Sequence, residues 1–207
     1  MKYPGDQCKA IWVNLGLLHL LMVLSLVLGV HCAQGQNSFS LKSFNASVLG
    51  TSTLHEWESQ ITKLEFIGSL QLTGNELSTI SPVEIKIPVE SIKSKEGRKM
   101  DKKTYEAFES DKNPFIIYKL MIAKIEINTI QAAAIQATGK LTIAGTTLPA
   151  ALVAKGKLMA NGDLSLSVSK KIRMTEYSMK PPTMMLGTIR VGDEVTIKFD
   201  LILGPAN

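Results

Sequence analysis

Few residues in this 207-residue chain could do chemistry, and they are unevenly placed. Both cysteines, Cys8 and Cys32, and two of the three histidines, His19 and His31, fall in the first 35 positions. The third, His55, stands in the run Leu54-His55-Glu56-Trp57. A histidine beside carboxylates is the minimum for general acid–base or triad-type hydrolysis. Glu56 and Glu58 would share a strand face, and a carboxylate pair flanking a sugar cleft is glycosidase machinery. The same residues equally describe a hydrogen-bonded structural histidine and two surface charges. Nothing nearby supplies a cleft, so no catalytic residue and no enzyme activity is expected. Beyond position 35 the chain has no cysteine and one histidine, which removes Cys/His zinc sites, thiol nucleophiles and disulfides. No metal and no cofactor is expected.

The first 35 residues differ in kind from the rest. Lys2 and Lys9 precede an apolar run from Ile11 to Val30, and Ala33-Gln34-Gly35 offers small residues for a cut before Gln36. That is the layout of a secretory signal peptide. The apolar run is also close to the roughly 20 residues that span a bilayer, so an uncleaved inner-membrane anchor is the alternative. Export without disulfides suits a bacterial periplasm. Residues 36–207 are expected to form one domain. The net charge is +5 and the pI about 9.1, but no Lys/Arg cluster interleaves with aromatics. The basic excess therefore reads as a solvating surface and not as a nucleic-acid face.

The elements that must position any site are strands. In Val195–Leu203 the odd positions Val195, Ile197, Phe199, Leu201 and Leu203 are apolar, and Thr196, Lys198 and Asp200 between them are polar. Val83, Ile85, Ile87 and Val89 repeat the pattern, as do Leu164, Leu166 and Val168. Side chains alternate across a strand, so each has one apolar and one wet side, as in antiparallel sheets closing on a core. Ile116, Tyr118, Leu120 and Ile122 are expected to share a face, and so are Ile135, Ala137, Gly139, Leu141 and Ile143. Pro88 lacks an N–H and should sit at an edge or bulge. Lys102–Ser110 reads as the one helix, capped by Asp101 with Met100 stapled onto Tyr105. A methionine- and proline-bearing connection covers 173–188. About eight strands, one helix and no repeat predict an all-β, up-and-down antiparallel barrel with room for one small ligand.

Four blocks carry a family resemblance: Gly50-Thr51-Ser52-Thr53-Leu54-His55-Glu56-Trp57, Met100–Phe108 leading to Asn113-Pro114-Phe115-Ile116, Thr138–Thr147, and Val191-Gly192-Asp193-Glu194-Val195. In this order they resemble the YceI-like, polyisoprenoid-binding family of exported lipocalin-like barrels, in the form common in Bacteroidota. The resemblance implies a lipocalin-like barrel with its helix near the mouth, preceded by the signal segment. It also implies transport or storage of a long isoprenoid-type lipid in the lumen, with no catalysis. The lipid would be the partner, with membrane proximity through the N-terminal segment. Candidate lining residues are Trp57, Phe66, Ile85, Ile116 and Tyr118 on the first strands. Leu120, Leu141, Leu166, Ile197 and Phe199 follow on the later ones, and Tyr105 and Phe108 would form a lid. The same residues would equally fill a packed core, giving an envelope interaction module with no lipid. The methionines of 174–185 could form an adaptable gate, or a surface loop with a few buried anchors.

Overall fold

The computed structural model describes residues 39–73, 76–80, 83–129 and 132–205. The expected signal segment 1–35 and the turn at Gly74-Asn75 lie outside these residues. The strands are β1 (Phe39–Ser52), β2 (Glu56–Ile61), β3 (Glu65–Ile67), β4 (Leu70–Thr73), β5 (Glu76–Ile80), β6 (Glu84–Pro88) and β7 (Ile92–Ser94). Helix α1 (Arg98–Phe108) follows. Then come β8 (Phe115–Thr129), β9 (Ala132–Ile143), β10 (Thr146–Leu158), β11 (Leu164–Arg173), β12 (Thr183–Met184) and β13 (Ile189–Pro205).

The described strands pair antiparallel in the order β3-β6-β8-β9-β10-β11-β13-β1-β2-β7, while β4 and β5 form a separate hairpin and β12 adds to β13. Two broken strands bring the ends of this order together. β2 and β3 are one path interrupted at 62–64, and β6 and β7 are one path interrupted by a 3-10 turn at Val89–Ser91. β2 pairs with β7 and β3 with β6, so the sheet curls into an eight-path antiparallel barrel. The two breaks face each other. Thr62 donates its backbone N–H and its hydroxyl to the Ser91 carbonyl, each at 2.9 Å. The Ser91 hydroxyl lies 2.7 Å from the Pro88 carbonyl. Pro88 thus ends β6 where a ladder donor is no longer needed.

Inward positions follow the sequence pattern on β13 and on β9, where Ile135, Leu141 and Ile143 are buried. β8 departs from it. A bulge between Leu120 and Ile122 adds Met121, so the parity flips and Ile122 faces solvent at 69% exposure, where the alternation placed it inward. One extra residue in a strand reverses every later side chain.

The helix also differs from expectation. It starts at Arg98, after Gly97 at φ +85°, and ends at Glu109 in the left-handed region. Asp101 lies inside the first turn and is not the cap. Its Oδ1 accepts the Ser94 N–H at 2.7 Å, pinning the helix to the end of β7. Met100 is consequently a helical residue and not a staple before the helix.

The interior divides along the barrel. Phe39, Ile135, Ala154, Leu164, Leu166, Leu201 and Leu203 pack the end that holds the β10–β11 turn. Leu203 is fully enclosed there. The other end receives α1, the 53–55 turn and the 174–188 connection, and its interior leaves space.

Candidate functional site

The Gly50–Trp57 block forms one wall of that space. Gly50 lies directly opposite Trp57 on the β1–β2 pair, and the indole ring packs onto the bare glycine. A Cβ at Gly50 would stand 2.4 Å from Trp57 Cζ2, so only glycine admits the ring in this pose. Trp57 Nε1 donates to the Thr51 carbonyl at 2.9 Å, which fixes the ring's tilt. Ser52 organises the turn: its hydroxyl donates to the His55 carbonyl and accepts the N–H groups of Leu54 and His55. Thr53 ties the turn to the start of β13 by donating its N–H to the Arg190 carbonyl at 3.0 Å.

Around Trp57 lies a cavity of about 60 Å³. Its walls are Val48, Ile92, Ile116, Ile143, Ile172, Val191, Val195 and Ile197, and its roof is the helix face Met100, Thr104, Ala107 and Phe108. These four helix positions recur at three- and four-residue steps, so they share one side of α1. The 174–188 connection supplies Met174, Met179 and Pro182. Ser59 and Thr104 are the polar side chains among the lining residues. None of these lining residues is ionic, and apolar surface is what such a space can bury.

Met174 is held in place by Asp193. The Asp193 carboxylate accepts the Thr175 N–H at 2.9 Å and the Thr175 hydroxyl at 2.7 Å, bracing the 3-10 turn Met174–Tyr177. Those hydrogen bonds from Thr175 hold the Asp193 carboxyl below its usual range. Farther along the connection the backbone is strained. Met185 and Leu186 take φ +49° and +54°, and Leu186 stands fully clear of the protein. The segment therefore combines two buried methionines with an exposed apolar tip, the arrangement expected of a surface loop with a few buried anchors.

A second, larger bay of about 240 Å³ adjoins the cavity. Trp57, Met100, Pro182 and Val191 line both, and Leu54, His55, Lys99, Met184 and Ile189 are among its other residues. His55 is exposed at its edge, its Nδ1 2.7 Å from the Glu56 carbonyl. Glu58 is bonded to Lys95, whose ammonium is the largest cause of its lowered pKa, and to Gln60. The ring of His55 is thus bonded to backbone and Glu58 to a lysine.

Of the residues singled out from sequence, Trp57, Phe108, Ile116 and Ile197 line the cavity. Tyr118, Leu141 and Ile85 form the next layer: Tyr118 pairs with Ile85 on one side and Leu141 on the other. Leu120 and Phe199 are half-buried beyond them, Phe66 lies on β3, and Leu166 belongs to the filled end. Tyr105 does not reach the cavity. Its hydroxyl accepts from Lys93 Nζ at 2.6 Å and lies 2.9 Å from the Glu90 carbonyl, which anchors the helix to the 3-10 turn and β7. Thr104 and Ala107 were not among the expected lining residues, and Met174 and Met179 were expected only as part of the 174–185 gate or loop. The three-to-four spacing from Met100 carried a signal for the helix pair, whereas the methionines come from an irregular stretch with no period.

The model of the YceI-like domain matches residues 36–203. No curated protein sequence matches the chain. Among solved structures, BcnA of Burkholderia cenocepacia is similar with a TM-score of 0.60 at 16% identity, covering 79% of this chain and 98% of that one. A polyisoprenoid binding domain from Saccharophagus degradans, implicated in plant cell wall breakdown, is similar with a TM-score of 0.57 at 10% identity. That match covers 83% of this chain and 99% of the other. The YceI protein of Campylobacter jejuni follows with a TM-score of 0.55 at 16% identity, over 72% and 85% of the two chains. At these identities the likeness concerns the fold.

Proposed function

This chain belongs to the YceI-like family, and from the space at its barrel mouth we propose that it is a non-catalytic carrier for an isoprenoid-type or other long-chain lipid. The observation that carries the reading is the cavity under α1, lined almost wholly by hydrocarbon and continued outward by the 240 Å³ bay. Burying a methylene yields about 0.8 kcal/mol. Roughly five to twenty buried carbons then offset an association cost of about 4–15 kcal/mol. A tail of that length exceeds the cavity of about 60 Å³, so the cargo enters by displacing the roof. Met100, Met174 and Met179 suit that task, being unbranched and able to repack without strain. The S. degradans domain, described as polyisoprenoid-binding, supports the same class of cargo. The reading places the protein in the periplasm after cleavage of residues 1–35, or tethered to the inner membrane if they are kept.

A second reading is favoured by the filled end of the barrel and by the outward Met121 and Ile122, both more than half exposed. These suit an envelope interaction module that carries no lipid. Native mass spectrometry of the full chain, purified from a bacterial envelope, separates the two. A carrier shows a bound lipid mass that organic extraction removes and added geranylgeraniol replaces. A protein that arrives bare and takes up no prenol refutes the carrier reading.

A further inference from the structure

Tyr118 occupies the next inward position below Ile116, which borders the cavity. The residue is 8% exposed, and its hydroxyl is fully buried with no hydrogen-bond partner among the described residues. The layer around it is hydrocarbon: Ile85 and Leu141 stand opposite it on the two neighbouring strands. Gly139 lies beneath the ring, where a Cβ would come within 2.8 Å of both Cζ and the hydroxyl oxygen. Burial pushes ionisation of this phenol up, so it stays a neutral O–H, able to donate one hydrogen bond and accept another.

A buried hydroxyl without a partner destabilises a fold, and phenylalanine would fill the same volume without that cost. The oxygen is therefore the part of Tyr118 that packing does not explain. Buried orphan polar groups in native proteins call for a reason, and a small polar partner held at the oxygen is one of them. We infer that the Tyr118 hydroxyl is a contact for an oxygen on the cargo, a hydroxyl or a carbonyl, so that the site selects oxygenated isoprenoid lipids over bare hydrocarbons of equal length. The inference rests on the carrier reading and adds an orientation. The oxygen-bearing end goes in first, past Ile116 and the Tyr118 ring to the level of Gly139, which pairs with Leu120, and the tail runs back to the cavity beneath Met100, Met174 and Met179.

The test uses the delipidated full chain, offered geranylgeraniol and the C20 hydrocarbon of the same skeleton without the hydroxyl, and read by competitive native mass spectrometry. The wild type should prefer the alcohol on the order of tenfold. Tyr118→Phe should erase that preference by weakening alcohol binding alone, with hydrocarbon binding unchanged. The melting temperature of unliganded Tyr118→Phe should equal or exceed the wild type's. A preference that survives in Tyr118→Phe overturns the inference, and so does binding of both lipids by the wild type without preference; each leaves the carrier reading standing. A clear fall in the variant's melting temperature also overturns it, because the hydroxyl would then serve the fold. If neither protein takes up either lipid, the carrier reading fails and this inference with it.

Discussion

Replacing Gly50 by alanine tests the wall of the site at its tightest contact. The added Cβ would lie 2.4, 2.7 and 3.1 Å from Cζ2, Cε2 and Cη2 of Trp57, where carbon atoms prefer about 3.5–4.0 Å. The indole must shift by about an ångström or more to clear it. Overpacking of this kind costs about 1–3 kcal/mol. Losing the Trp57 Nε1 bond to the Thr51 carbonyl adds about 0.5–1.5 kcal/mol. A total of about 1.5–4.5 kcal/mol corresponds to a fall of roughly 3–18 °C in melting temperature for a domain of this size. The chain has two tryptophans, Trp12 and Trp57. In a Trp12→Phe background Trp57 is the sole emitter, and Gly50→Ala should shift its fluorescence to the red as the ring leaves the wall. The penalty should shrink by more than half in a Trp57→Leu background, which removes the clashing atoms, so that the double-mutant cycle shows coupling. If Gly50→Ala costs as much in the Trp57→Leu background as it does beside the native indole, or leaves emission and melting unchanged, the packing argument is refuted.

Two further outcomes follow from other parts of the barrel. Ile122→Lys should change stability by less than about 0.5 kcal/mol, since the bulge at Met121 turns this side chain outward; a loss of several kcal/mol on denaturant titration would return Ile122 to the interior. At the filled end, the buried Asp163 carboxylate accepts Lys42 Nζ at 2.8 Å and Asn161 Nδ2 at 2.9 Å, tying the start of β1 to the β10–β11 turn. The hydrogen bond from Lys42 is the largest cause of its lowered pKa. A carboxyl whose folded pKa lies below its unfolded one contributes stability that is present above the unfolded value and lost as pH falls through the folded one. Melting curves between about pH 6 and pH 2 should therefore fall less steeply for Asp163→Asn than for the wild type, and equal slopes would remove Asp163 from the acid response.

Alternation along the chain determined the antiparallel class and the inward sets of β9 and β13, because a period of two is a local property that each strand carries by itself; the helix between β7 and β8 showed where that period lapsed, though not where it starts or what caps it. The blocks around Gly50, Gly139 and Asp193 likewise showed the family before any coordinate did. What they do in packing needed the partner strand, since Gly50 means something only once Trp57 is seen across from it. The bulge at Met121 was invisible for the same reason: an unpaired extra residue exists only relative to β9, and it reversed Ile122. The cavity was illegible too. Whether inward side chains fill a barrel or leave room depends on how far apart its walls stand and on what roofs them. Here the tertiary structure decided both, packing one end around Leu203 and leaving space at the other beneath α1, Met174 and Met179.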